Sequence, residues 1–407
     1  MALDKLNKAL SDHVKQLEES GRAKGKEKVV RKILSPRNGK GPRYLLEGYG
    51  DKEFIRMNAN AYLGLSMRQD MIEAEEKGAK EFGVGPGAVR FIVGTYTPHI
   101  NLEKRLAKFH GRQEGMIFSS AYATSLGVIY PLTTKETVLI SDELNHNCII
   151  NAIRLGKPMG KEIYKHNDME ALEEALKKNA GKAKRALVLT DGIFSMRGDH
   201  APLDKLMEIC ERYNDQYEEG VISIVDDSHG VGAIGDTGRG TEEYTNSKVD
   251  VLIGTLGKAF GVNGGYVVSS SEVVTYLRET APTYVYSNPI TVSECEAAIQ
   301  AVNILDSEEG RNIVKHLSSM TERFQEGLKE AGYETIEGAH PVVPLMVRDT
   351  QKTKAIVEYL TENGILATGL SYPVVPQGDE EIRFQVCADH TEGDIDYVLD
   401  VLKKYKG

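Results

Sequence analysis

Hydrophobic and polar positions along the chain fall into three textures. At the amino end, Leu6, Ala9, Leu10, His13, Val14 and Leu17 recur at helix spacing with charges between them, and Gly21 and Gly25 are natural stops. The stretch Ser35 to Gly50 is rich in Gly, Pro and Arg and reads as an irregular connection. From about residue 60 to 290, short β-branched runs alternate with amphipathic ones. Ala186–Thr190, Ile222–Asp227 and Val249–Thr255 are strand-like, whereas Met169–Lys178 and Leu203–Tyr213 are helix-like. That alternation predicts a mostly parallel sheet covered by helices on both faces, with ligands at the carboxyl ends of the strands. Beyond about 290 the texture changes again. Long helical patterns cover Thr291–Leu305 and Ile313–Ala331, followed by a strand at Val342–Met346 and a helix at Thr353–Asn363. Strands near Ile365–Thr368 and Ile382–Val386 and a closing helix complete the chain. The predicted organisation is a helix and connecting segment over 1–60, a large strand–helix domain over 61–290 and a smaller α+β domain over 291–407.

Composition narrows the classes. The chain has 407 residues, 41% hydrophobic and 27% charged, which excludes a disordered polymer. A net charge of −10 argues against a nucleic-acid binder, which needs a basic surface. No apolar run approaches the ~20 residues of a membrane span. Met1 to Arg31 has no apolar signal core, so a cytoplasmic protein is expected. Cys148, Cys210, Cys295 and Cys387 are far apart and form no CxxC pair; reduced thiols are expected, with neither a disulfide frame nor a metal site. The 40 glycines should mark turns and places where backbone passes close to something else.

Four short stretches carry candidate chemistry. Lys258 sits between Gly257 and Gly261, just past the strand that ends at Thr255. A lysine there can form a Schiff base if burial or a neighbouring cation lowers its pKa; the bland alternative is a surface lysine on a loop. The following Ala259 rules out a Walker A loop. Asp226, at the end of Ile222–Asp227, stands where a pyridine-ring cofactor needs an anion, or else it caps the next helix. Phe118-Ser119-Ser120-Ala121-Tyr122 opens a helix whose first amides could take a phosphate, or Ser120 is a plain N-cap. His146 follows Asp142-Glu143-Leu144-Asn145 and is alone no more than a histidine on a loop.

Order and spacing raise these strings above their individual worth. Tyr62-Leu63-Gly64-Leu65, Val89-Arg90-Phe91-Ile92, Gly94-Thr95, Asn145-His146, Thr190-Asp191-Gly192-Ile193-Phe194-Ser195-Met196, Val225-Asp226-Asp227-Ser228-His229, Thr255-Leu256-Gly257-Lys258, Tyr372-Pro373-Val374-Val375-Pro376 and Ile382-Arg383 together resemble the α-oxoamine synthases. These are a branch of the fold-type I pyridoxal-phosphate enzymes. The resemblance runs from Asn58 to Thr391, and within the branch it is nearest to the glycine C-acetyltransferases. It implies an α/β transferase with a mostly parallel central sheet in the large, pyridoxal 5'-phosphate-binding domain and a smaller α+β C-terminal domain. It also implies a homodimer with shared active sites.

Roles follow from the resemblance residue by residue. Lys258 forms the Schiff base and later serves as acid and base at the substrate Cα. Asp226 pairs with the pyridine nitrogen, His229 reaches the phenolic oxygen with Ser195 as a second candidate, and His146 stacks on the ring. Ser120, Ala121 and Tyr122 hold the phosphate with Thr255, and Ser287 reaches the phosphate in the partner subunit's site. Arg383 takes the amino-acid carboxylate, with Asn60 and His99 near the substrate. The implied reaction condenses an amino acid, glycine favoured, with an acyl-CoA, acetyl-CoA favoured. Alternatives are alanine or serine with a longer acyl thioester, as in 8-amino-7-oxononanoate synthases and serine palmitoyltransferases, or an aminotransferase on the same fold. Two departures bear on the substrate: Ala61 replaces an asparagine of the family's Asn-Asn-Tyr-Leu-Gly pattern, and Tyr96-Thr97-Pro98-His99 replaces a more polar stretch.

Overall fold

The computed structural model describes residues 2–20, 22–23, 25–372 and 374–406. Gly21, expected to help end the first helix, and Pro373 of the Tyr372–Pro376 string lie outside the described residues.

The chain opens with α1 (Ala2–Glu19), β1 (Val30–Leu34), β2 (Arg43–Leu46), β3 (Ile55–Arg56) and α2 (Gln69–Phe82). The apolar stripe of α1 is exposed, with Leu6 and Leu10 both more than half accessible. Contrary to the irregular connection expected for Ser35–Gly50, Arg43–Leu46 is a buried strand antiparallel to β1. Local composition hid it because its partners are remote: the Arg43 guanidinium pairs with the buried Asp394 near the end of the chain.

The next segment runs α3 (Thr97–Phe109), β4 (Glu114–Phe118), α4 (Ala121–Leu132), β5 (Thr137–Asp142), α5 (Asn147–Leu155), β6 (Gly160–Tyr164) and α6 (Met169–Asn179). It continues through β7 (Arg185–Asp191), α7 (Leu203–Asn214), β8 (Val221–Asp226), α8 (Thr241–Tyr244), β9 (Val251–Thr255) and β10 (Gly265–Ser269). Strands β4 to β10 form one seven-stranded sheet in the order β4-β10-β9-β8-β7-β5-β6, in which only β10 runs against the rest. Alternate residues of the same strands face different cores. Ile140, Val188, Val225 and Leu252 pack on one side, whereas Leu139, Leu187, Ile224 and Ile253 pack on the other. Burial on both faces is why these strands read as continuous apolar runs.

Beyond the sheet come α9 (Ser271–Thr280), α10 (Pro282–Val285), α11 (Val292–Leu305), α12 (Glu308–Glu330), β11 (Glu334–Thr335), β12 (Val342–Met346), α13 (Thr350–Glu362), β13 (Ile365–Leu366), β14 (Thr368–Leu370), β15 (Glu381–Gln385) and α14 (Glu392–Lys404). Four of these strands form a separate antiparallel sheet, β11-β12-β15-β14. β13 instead pairs in parallel with β3, which ties the early segment to the end of the chain.

Candidate active site

The carboxyl edge of the seven-stranded sheet gathers the chemistry. β8 ends at Asp226, and its register partner at the end of β7 is Asp191. β9 ends at Thr255 and turns into the loop carrying Lys258, while β4 runs through Ser119 and Ser120 into α4. One cavity there is lined by Ala121, Tyr122, His146, Ser195, Asp226, His229 and Lys258, together with Cys148, Asp191 and Ser228.

The Asp226 carboxylate is buried and hydrogen-bonded through both oxygens. Oδ1 accepts from the Ser228 hydroxyl at 2.5 Å and the Ser228 amide at 3.1 Å. Oδ2 accepts from Ser125 Oγ at 3.0 Å and Cys148 Sγ at 3.5 Å. These donors offset the cost of taking a carboxylate out of water. Burial, and then the neighbouring Asp226, push the Asp191 carboxyl well above the usual range, while its Oδ2 accepts the His146 amide at 2.8 Å. Burial lowers the Lys258 ammonium, with Asp226 and Asp191 pulling the other way, and Nζ makes no hydrogen bond to any described residue. An amine so placed has the lowered pKa and free valence that a Schiff-base nucleophile needs.

His229 is a neutral ring. Burial first, then Lys258 and further cations, depress it well below its ordinary value. The Tyr62 hydroxyl lies 2.7 Å from Nδ1, and burial raises the phenol so that it keeps its proton. The Tyr62 hydroxyl has one proton to give, to Nδ1 or to Asn60 Oδ1; given to Nδ1, it leaves the ring proton on Nε2, where His229 is then a hydrogen-bond donor. His340 backs the ring: its Nε2 is 2.8 Å from the His229 carbonyl, and its Nδ1 accepts from Val342 N. His146 caps α5, with Nδ1 accepting from Cys148 N at 3.3 Å, and its ring is exposed beside Tyr122.

Arg383 enters from β15. Its guanidinium donates to the Ser195 carbonyl at 3.0 Å and to Asn60 Oδ1 at 3.3 Å. Burial lowers its pKa, and among the described residues it has no hydrogen-bonded carboxylate. Asn60 Oδ1 also faces the Tyr62 hydroxyl at 3.3 Å, linking Arg383 to His229.

Six expected residues are not among this cavity's lining: Arg383 adjoins it through the Ser195 carbonyl, Asn60 adjoins Arg383, and the other four make different contacts. Ser120 is the N-cap of α4, its hydroxyl accepting from Ala123 N at 3.1 Å. Thr255 Oγ1 accepts from Gly257 N at 3.1 Å and donates to Gly264 O. Ser287 is near the surface, and its hydroxyl reaches only Asn288 O. His99 is fully buried with both ring nitrogens engaged, by Tyr96 N at 3.0 Å and Ile290 O at 2.9 Å, and it caps α3. Arg90 is likewise taken: it is buried against Glu103, which also binds Arg278. Asp191, Cys148, Ser228 and His340 were not assigned from sequence. For Asp191 a signal existed, an aspartate ending a β-branched run as Asp226 does; His340 had none.

The chain matches the model of the aminotransferase class I and II family over residues 52–402. It is 37% identical over 377 residues to the 8-amino-7-oxononanoate synthase of Thermosipho melanesiensis, covering 92% of each chain. The chain belongs to the α-oxoamine synthase family. It is also 39% identical over 386 residues to the mitochondrial 2-amino-3-ketobutyrate coenzyme A ligase of Bos taurus, covering 94% of this chain and 88% of that one. The fold matches a serine palmitoyltransferase solved with its PLP internal aldimine at a TM-score of 0.85 and 25% identity, over 99% of this chain and 98% of that one. This α-oxoamine synthase is therefore a fold-type I transferase with a mostly parallel central sheet. No helix among the described residues is long and apolar enough to cross a membrane.

Proposed function

We propose that this α-oxoamine synthase uses pyridoxal 5'-phosphate to condense glycine with acetyl-CoA, releasing CoA. One observation carries the amino-acid half of the reading: the partly buried Arg383 guanidinium has only neutral hydrogen-bond partners. An uncompensated buried cation is costly, and a substrate carboxylate accepting two parallel bonds removes that cost.

The residues present fit the cofactor. The first amides of α4, at Ala121 and Tyr122, have no intrahelical acceptor and face the cavity, a suitable seat for a phosphate. Gly265 lets β10 press against that helix start; a Cβ there would lie 2.5 Å from Ala121 Cα. Lys258 Nζ is without a hydrogen-bond partner, and Asp226 stands ready for a protonated ring nitrogen.

When bound, the cofactor supplies an electron sink for the Cα–H electrons. The chain's own residues do the rest. Arg383 fixes the carboxylate and so sets the direction of the Cα–H bond. Lys258 Nζ, its pKa lowered by burial, takes the Cα proton. His229 donates from Nε2, and Asp226 holds a positive partner in place. The deprotonated Cα forms a bond to the thioester carbonyl carbon, the C–S bond breaks, and CoA leaves as its thiolate. Ser287 stands apart from its own cavity, which fits a homodimer in which it serves the partner subunit's site.

Several of the most similar relatives are named 8-amino-7-oxononanoate synthase, which favours alanine with a longer acyl thioester as the second reading. Discrimination by one methylene yields only about 1–3 kcal/mol, so the choice is a matter of rates. The test is a panel of glycine, alanine and serine against acyl-CoA chain lengths, read as CoA release. Glycine with acetyl-CoA should be fastest; a far faster reaction with alanine and a long-chain thioester would replace the leading reading with the second. Lys258→Ala should abolish both the cofactor's Schiff-base absorbance and turnover.

A further inference from the structure

A dense charge cluster lies under one wall of the cavity. The His166 ring, after β6, is held between carboxylates from two different segments. Nδ1 is 3.2 Å from Asp142 Oδ1 at the end of β5, and Nε2 is 3.1 Å from Asp199 Oδ2. Only the imidazolium, with two N–H donors, satisfies both contacts at once. The ring also packs edge-on to Phe194, with centroids 4.3 Å apart. Phe194 and Asp199 are the two legs of one tight turn, in which Phe194 N donates to Asp199 O at 3.0 Å and Gly198 N to Phe194 O at 2.8 Å. Ser195 follows Phe194 in that turn; it lines the cavity, and its carbonyl holds Arg383.

We propose that His166 is a positioning residue for the substrate carboxylate: by clamping Asp199 to Asp142 it fixes the 192–199 turn, and through the Ser195 carbonyl it sets the direction of Arg383. The inference rests on Arg383 taking that carboxylate. Other charged groups around the ring are Arg197, whose Nε binds Asp199 at 2.8 Å, and Glu143, which accepts the His166 amide and pairs with Lys165. Burial works against the charged ring, but the Asp142 and Asp199 hydrogen bonds outweigh it and raise the imidazolium to about 9. The clamp is therefore closed at neutral pH and opens as pH passes that value.

The test uses the holoenzyme. His166→Asn should raise the amino-acid KM about ten- to hundredfold, as small misplacements of binding groups do, with the acyl-CoA KM and cofactor affinity little changed. Amino-acid affinity, read from the cofactor's absorbance without acyl-CoA, should fall by the same factor. His166→Gln, which keeps one donor, should recover part of the loss. Asp199→Asn preserves shape, removes one carboxylate and should move the alkaline rise in amino-acid KM to lower pH. An unchanged amino-acid KM in these variants, or equal losses in both KM values and cofactor affinity, overturns the inference. Arg383→Ala separates it from the reading beneath it. If that variant binds amino acids normally, the carboxylate reading falls. If it loses them while the His166 and Asp199 variants do not, only the clamp falls.

Discussion

Replacing Arg383 with alanine should move substrate binding and protein stability in different directions. In the free enzyme the partly buried guanidinium has only neutral acceptors, among them Ser195 O and Asn60 Oδ1, and no hydrogen-bonded carboxylate. Each of those bonds contributes about 1–2 kcal/mol, against a desolvation cost of several kcal/mol for a buried ion lacking a counter-charge. Removal should therefore leave the melting temperature unchanged or higher. With substrate bound, two charge-assisted hydrogen bonds to the carboxylate add about 1.5–3 kcal/mol each. Their loss, about 3–6 kcal/mol, corresponds to a roughly hundred- to ten-thousandfold weaker amino-acid affinity. Titration of the holoenzyme with glycine, followed by the cofactor's absorbance, measures the first quantity, and thermal unfolding measures the second. A variant that melts several degrees lower yet binds glycine as before would show that Arg383 is a structural tie for the Ser195 turn, and the reasoning would fail.

Glu381, two residues away on β15, is buried with Oε1 unpartnered, and burial pushes its carboxyl up to about 8. An unfolded glutamate ionises near 4.5, so the native state binds the extra proton between those values and stability falls as pH rises through that window. Glu381→Gln should therefore raise the melting temperature near pH 8.5 and leave it near wild type at about pH 4.5; equal shifts at both pH values would contradict this account. Gly265→Ala places a Cβ 2.5 Å from Ala121 Cα and from Thr124 Oγ1, so overpacking should cost about 1–3 kcal/mol. Because the strain falls on the first turn of α4, equilibrium dialysis should find weaker cofactor binding as well; unaltered affinity would remove the phosphate from that helix start. For the shared-site reading, Lys258→Ala chains mixed with chains carrying a bulky acidic residue at Ser287 should regain about a quarter of wild-type activity through hybrid dimers with one intact site. Absence of any recovery in demonstrably mixed dimers would place Ser287 outside the neighbouring site.

The parts of this protein legible in its sequence share a physical origin. Val342–Met346 was placed at its observed ends, because a strand buried on both faces carries an unbroken apolar signature. Helix starts were less legible. α12 begins at Glu308 behind the Ser307 cap and α13 at Thr350 behind the Asp349 cap, each several residues before the first apolar position used to recognise it. A first turn that is polar and capped leaves no mark on hydrophobic periodicity. Ser120 is legible as a small hydroxyl at a helix start, and its oxygen accepts from the amide of Ala123 as an N-cap.

By itself the sequence determined the alternation of strands and helices and set Asp226, His146, His229 and Lys258 around the carboxyl edge of one sheet, since chain order and strand direction suffice for that. What only the tertiary structure decided are the contacts between segments that no local pattern relates. Arg383 meets Asn60 across 323 residues and Ser195 across 188. His166 bridges Asp142 and Asp199, and Arg43 finds Asp394. His99 matched a family string, yet packing gave both its nitrogens to the backbone. Residue type limits the bonds a side chain can make. Which of them it makes depends on the neighbours that folding brings within about 3 Å, because hydrogen bonds weaken steeply beyond that reach.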